Sequence, residues 1–125
     1  MSDPFMHLLG IEVCSVGAGQ AHLVAEVRPQ HLNIHGTCHG GFLYSLADAA
    51  FALASNSHGV MAVALATHME YFKAVREGDR LEARASEENL GRHTATYRIE
   101  IAREGQTVAL FTGTVYRLSE TKEKQ

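Results

Sequence analysis

Gly40-Gly-Phe-Leu-Tyr-Ser-Leu-Ala-Asp-Ala-Ala-Phe-Ala-Leu-Ala-Ser-Asn56 is the stretch on which the fold turns. It is apolar nearly all round and rich in alanine, the best helix former, so it reads as a helix running to about Ser57. A helix without a polar face has to be covered on most sides. This segment is therefore the core helix of the domain. It is too short, and too interrupted by Asp48, to cross a bilayer, which takes about 20 predominantly apolar residues.

Upstream of it, Asp3-Pro4 supplies an N-cap followed by proline at the first helical position, and Gly10 supplies a stop, so Asp3–Leu9 is expected as a short helix. Ile11–Val16 and Gln20–Val27 read as strands joined by the turn Gly17-Ala-Gly19. In the second strand Ala21, Leu23, Ala25 and Val27 point one way, and His22 and Glu26 the other. Residues 29–38 read as a loop. Downstream, Met61–Val75, Arg80–Asn89, Arg92–Arg103 and Thr107–Leu118 read as strands. The turns between them hold Gly78, Gly91 and Gly105, which predicts an antiparallel meander. One core helix among long antiparallel strands gives an α+β domain whose sheet curls around the helix. A chain of this size leaves a sheet face and an edge uncovered, so a homo-oligomer is expected.

The 125 residues allow one domain, assigned to 1–118, and the polar, charge-rich remainder 119–125 is expected to be a flexible tail. The 46% hydrophobic content is ordinary for a chain with a real core. A net charge of −3 argues against a nucleic-acid partner, which calls for a basic excess. Met1-Ser-Asp-Pro4 opens with an acid and leads into no apolar h-region, so a cytoplasmic protein without a membrane segment is expected. Cys14 and Cys38 form no CxxC pair and read as reduced thiols.

Two features carry chemistry. Asp48 places a carboxylate amid Leu46, Ala47, Ala49, Ala50 and Phe51, which is costly unless the group is paired, hydrogen-bonded or protonated. His39-Gly40-Gly41 stands at the helix entrance, where free N–H groups and the helix dipole favour developing negative charge, as an oxyanion hole does. A buried ion pair and a plain loop-to-helix turn are the structural alternatives. Gly41 and Asp48 lie seven residues apart, roughly 10 Å along a helix. One helix can hardly aim both at one carbon, whereas two antiparallel copies in a dimer can. His31, His35 and His39 recur every four residues, but Asn33, Gly36 and Gly40 argue against a helix there, so no metal site is expected. Ser45 and Ser55 lack the G-x-S-x-G turn of a serine nucleophile.

The run Asn33-x-His-Gly-x-x-His-Gly-Gly-x-x-x-x-Leu-Ala-Asp48 resembles the hot-dog-fold acyl-CoA thioesterases of the phenylacetic acid degradation (PaaI) type. The resemblance extends over His68-Met-Glu-Tyr-Phe-Lys73, Gly78-Asp79 and Gly91-Arg-His-Thr-Ala-Thr-Tyr97, from about Asp3 to Leu118. It implies a five-stranded antiparallel sheet wrapped around the long helix, edge-to-edge dimers, and tetramers built as dimers of dimers. It implies that Asp48 is the catalytic carboxylate, as general base or as nucleophile through a mixed anhydride. By the same resemblance the Gly41 N–H polarises the thioester carbonyl, Asn33 and His39 line the site, and Gly40 and Phe72 meet the substrate. Lys73, Arg92 and His93 are the residues expected at the coenzyme A phosphates, or else solvated strand residues. Coenzyme A is part of the substrate and no separate cofactor is expected.

Two rival readings stand beside this one. An acyl-CoA hydratase or dehydratase on the same fold would use His39 with Asp48 to move a proton. A non-catalytic acyl-CoA-binding module would use the fold without chemistry. Phe42, Tyr44, Phe51 and Phe72 are either the wall of an aryl pocket or ordinary core.

Overall fold

The computed structural model describes residues 3–118, so the expected tail at 119–125 lies outside the described residues. The elements in chain order are α1 (Pro4–Leu9), β1 (Glu12–Gly17), β2 (Gln20–Glu26), a 3-10 turn at Pro29–His31, α2 (Gly40–Ser55), β3 (Ala62–Tyr71), β4 (Arg80–Leu90), β5 (Thr94–Arg103) and β6 (Gln106–Arg117).

The caps explain the helix limits. Asp3 Oδ1 accepts the Met6 N–H at 2.8 Å, Pro4 opens α1, and Gly10 closes it at φ +77°. The N-cap of α2 is His39, whose Nδ1 accepts the Gly41 N–H at 2.7 Å. At the other end, the Asn56 side chain bonds Ala52 O and bridges to the backbone of Ala62, tying the helix exit to β3.

The strands form one sheet in the order β1-β2-β4-β5-β6-β3, and every neighbouring pair is antiparallel. The sheet has six strands, one more than the resemblance implies. Only β4, β5 and β6 form a meander; β3 pairs with β6 and not with its successor β4. The reason is the segment 72–79, which crosses from one side of the sheet to the other. Phe72 N–H donates to Val108 O, Cys38 N–H to Val75 O, and Gly78 N–H to Val27 O. Asp79 anchors the end of this crossing through Arg103, 2.9 Å away.

The sheet curls around α2, which sits over β2, β4 and β5 more than over β6 and β3. Alternation sets the inner face: Leu81, Ala83 and Ala85 on β4, and Ala95, Tyr97, Ile99 and Ile101 on β5, are buried. Small residues on both sides, Ala47, Ala50 and Ala54 against the alanines of β4 and β5, keep the helix close to the sheet. Gly113 completes the fit. A Cβ there would stand 2.7 Å from Phe51 Cζ, so only glycine lets that ring lie on β6. Phe42 and Phe51 are core residues, while Tyr44 is half-buried and Phe72 exposed.

Two surfaces stay open. On α2, Gly41 and Ala52 are exposed and Ser45, Asp48 and Ala49 are half-buried, so the helix is not covered all round by its own chain. Along edge strand β3, Val63, Leu65 and Tyr71, with flanking Met61 and Phe72, are exposed apolar side chains.

Candidate active site

Gly41, Ser45 and Asp48 follow one another at i, i+4 and i+7, which places them on one face of α2. This is the face the chain leaves open. Asp48 is half-buried there, with no hydrogen bond or ion pair to any of the described residues. Burial pushes its carboxyl above the usual aspartate range, and the like charge of Asp3 at the α1 cap adds to the effect. An unpaired carboxylate with raised proton affinity on an accessible face is suited to accepting a proton.

The helix entrance is a built structure. His39 is exposed, and its ring closes over the Gly41 N–H. A Cβ at Gly41 would meet His39 Nδ1 at 2.9 Å, so glycine is what permits the contact. Because Nδ1 accepts, the neutral ring carries its proton on Nε2. The Gly40 N–H has no acceptor among the described residues. The Tyr71 hydroxyl donates to Gly40 O at 3.2 Å, and its ring lies 3.4 Å from where a Gly40 Cβ would stand. Burial, then Tyr44, raise the Tyr71 hydroxyl's pKa, so it stays a donor. Tyr44 in turn bonds Thr67 at 2.7 Å.

Asn33 is occupied locally. Its Oδ1 accepts from the His35 and Thr37 N–H groups at 2.8 and 3.2 Å, and its Nδ2 donates to Thr37 Oγ1. It shapes the loop that delivers His39. His31, His35 and His39 do not converge. His31 is buried between Leu9 O, 2.9 Å from Nε2, and the Arg28 N–H, 2.9 Å from Nδ1, with its ring stacked on Phe42 at 3.8 Å. Desolvation by burial is the main cause that lowers its pKa.

Gly40, Phe72 and Lys73 meet around a depression of about 340 Å³ between the α2 N-terminus and the end of β3. Arg92 and His93 lie elsewhere, exposed on the β4–β5 turn. His93 stacks on Tyr116, and the Arg117 N–H donates to His93 O. Arg117 pairs with Ala62 at the start of β3, whereas Tyr71 ends it, so the two basic groups stand roughly 30 Å apart along the strand. One chain does not bring them together.

On the other flank of α2, a groove of about 250 Å³ runs beside Gly41 and Ser45, walled by Phe5 and Leu9 of α1 and by Leu32 and Phe42. The sequence names Ser45 only as a rejected nucleophile and gives Tyr71 and the α1 wall no role at the site. The i, i+4, i+7 spacing from Gly41 was the available signal for Ser45. Nothing local in the sequence pointed from α1 to α2. A larger depression of about 400 Å³ lies around His22 and Arg84 at the β1–β2 end of the sheet, away from Asp48.

Residues 35–110 match the thioesterase superfamily. The acyl-coenzyme A thioesterase PaaI of Escherichia coli strain K12 is 43% identical over 121 residues, covering 96% of this chain and 86% of that protein. A mutant form of the phenylacetic acid degradation protein PaaI from Thermus thermophilus superposes with a TM-score of 0.91 at 59% identity, over 93% of this chain and 100% of that one. The protein smu.793 from Streptococcus mutans UA159, solved bound to acetyl CoA, superposes with a TM-score of 0.84 at 29% identity, over 87% of this chain and 89% of that one. The chain therefore belongs to the thioesterase superfamily: it is a hot-dog-fold thioester hydrolase of the PaaI type.

Proposed function

We propose that the chain hydrolyses acyl-CoA to free acid and coenzyme A at a site shared by two copies, with Asp48 as the catalytic carboxylate. The observation that carries this is Asp48 itself: half-buried, unpaired among the described residues and raised in pKa, on the same open face as the α2 entrance. In the base route, Asp48 takes a proton from water as the water oxygen bonds to the thioester carbon. The carbonyl oxygen becomes an oxyanion, and the Gly41 N–H donates to it once the His39 ring swings off. Collapse re-forms the C=O bond and breaks the C–S bond, so the thiolate leaves. In the nucleophile route, an Asp48 oxygen bonds to that carbon, the thiolate leaves, and water then cleaves the mixed anhydride.

Two distances support a site made by two copies, one along α2 and the other the roughly 30 Å along β3 between the Arg92–His93 turn and Lys73. Gly41 and Asp48 stand roughly 10 Å apart on one helix, too far to serve one carbon. An antiparallel pairing of two β3 edges would bring one copy's Arg92 and His93 toward its partner's Lys73 and Gly40, a basic surface suited to the coenzyme A phosphates. The exposed Met61, Val63 and Leu65 favour burial in such a pairing. Dimers then pair into tetramers, as the resemblance implies. The acetyl-CoA complex of smu.793 supports coenzyme A as the leaving group. The PaaI relatives support an aryl acyl group of the phenylacetyl class. The free thiols Cys14 and Cys38 fit the reducing cytoplasm.

The test is release of free thiol from acetyl-, hexanoyl-, decanoyl- and phenylacetyl-CoA, with the acid product identified, beside a parallel incubation with an enoyl-CoA assayed for hydration. Thiol release with equimolar acid is expected, highest for phenylacetyl-CoA. Water added across an enoyl-CoA without thiol release would replace this reading with the hydratase. Tight coenzyme A binding without turnover would replace it with the binding module.

A further inference from the structure

The groove between α1 and α2 has a construction the mechanism above does not use. Phe5 and Leu9, one turn apart on α1, form one wall, and Gly41 and Ser45 of α2 form the other. The groove thus starts at the amide assigned to the thioester carbonyl and runs along the helix face that carries Asp48. Leu32 and Phe42 add apolar surface to its sides, and Gln30, His31 and His39 supply its polar edge. α1 is held firmly enough to be a wall. Its N-terminus is capped by Asp3, Met6 is buried beneath it, and His31 Nε2 fixes its last carbonyl, Leu9 O, at 2.9 Å. Asp3 at one end of α1 lies within electrostatic reach of Asp48, and Leu9 at the other end touches His31 beside Phe42, so α1 runs alongside the α2 face. Phe5 is 58% exposed although apolar, so its ring contributes little to the core of its own chain.

We propose that this groove takes the acyl group of the substrate and that Phe5 sets which acyl groups fit. The inference rests on the thioesterase reading: with the carbonyl at Gly41, the apolar groove receives the acyl chain and leaves coenzyme A to the basic surface. A large ring at position 5 shortens the groove, and a small side chain lengthens it. A difference of one methylene in an apolar pocket changes kcat/KM by about tenfold or more, so truncating a phenyl ring has to register.

The experiment measures kcat/KM for thiol release from acetyl-, hexanoyl-, decanoyl- and phenylacetyl-CoA with the wild type, Phe5→Ala and Phe5→Trp. Phe5→Ala is expected to raise the decanoyl-to-acetyl ratio by about tenfold or more, and Phe5→Trp to lower it, with inhibition by free coenzyme A unchanged in both. Phe5→Trp keeps the bulk of the wall and decides the matter if Phe5→Ala fails to fold. An active wild type whose ratios are the same in the folded variants overturns the groove assignment alone. A wild type that releases no thiol from any of the four overturns the thioesterase reading and the assignment with it.

Discussion

Gly113→Ala puts the packing of α2 on β6 to the test. The added Cβ would stand 2.7 Å from Phe51 Cζ, 2.8 Å from Cε1 and 3.0 Å from Phe111 Cε1. Phe51 is 2% exposed, and its ring is hemmed in by Phe111 at 5.4 Å and Tyr97 at 6.1 Å, so it has nowhere to turn. Overpacking of this kind costs about 1–3 kcal/mol. Replacing glycine by alanine returns about 0.4–1 kcal/mol through the entropy of the unfolded chain. The overpacking wins, for a net loss of roughly 1–2 kcal/mol. Urea unfolding reads this as a fall in midpoint on the order of 1 M with an unchanged slope. Phe51→Leu removes the ring that clashes, so the pair Phe51→Leu with Gly113→Ala should be more stable than the sum of the two single losses by about 1 kcal/mol. A Gly113→Ala midpoint equal to wild type, or strict additivity in the pair, refutes the argument. Because Phe51 follows Asp48 by less than one turn, the same variant should also lower thiol release.

Four further outcomes are expected. Asp48 has a raised pKa in the folded state, so the folded protein binds more protons than the unfolded chain just above the usual aspartate range, and stability falls as pH rises through that window. Asp48→Asn removes this loss, and thermal melts at pH 7 should show the variant more stable than wild type, with the gap closing in acid. The His31 pKa is lowered, so the unfolded chain takes the proton first, and stability falls as pH drops below about 6.5; His31→Gln should flatten that leg of the pH–stability curve. Mixed dimers of Asp48→Asn and Gly41→Val, each inactive alone, should recover roughly one quarter of wild-type activity at a 1:1 ratio, since half the dimers are mixed and hold one intact site of two; no recovery contradicts a shared site. After a single turnover in ¹⁸O-labelled water, label found in Asp48 by peptide mass spectrometry marks an anhydride opened at the aspartyl carbon, because the base route puts label only in the product acid.

The local structure was legible because its signals are local. Asp3-Pro4 and Gly10 bound α1, the alanine-rich run after Gly40 is α2, and the alternation from Leu81 to Ala85 and from Ala95 to Ile101 gives the inner face of β4 and β5. The pairing of β3 was not legible. Between buried Ala62 and half-buried Met69, β3 is exposed on both faces in the single chain and shows no alternation to assign a partner, and the crossing segment 72–79 is fixed by backbone bonds to Val27, Cys38 and Val108 that no neighbouring residue announces. At the site, the face carrying Asp48 follows from helical spacing. The engagement of Asn33 with Thr37, the closure of His39 over Gly41 and the wall contributed by Phe5 depend on how a loop and a distant helix come to rest.

The most direct test of the central claim is thiol release from phenylacetyl-CoA by wild type and Asp48→Asn side by side, with circular dichroism to show that both are folded. The account predicts a folded variant whose kcat falls by at least about a hundredfold, the low end of what a positioned acid–base group contributes, while coenzyme A still inhibits it as it does the wild type. A folded Asp48→Asn protein that turns over at near the wild-type rate contradicts the account.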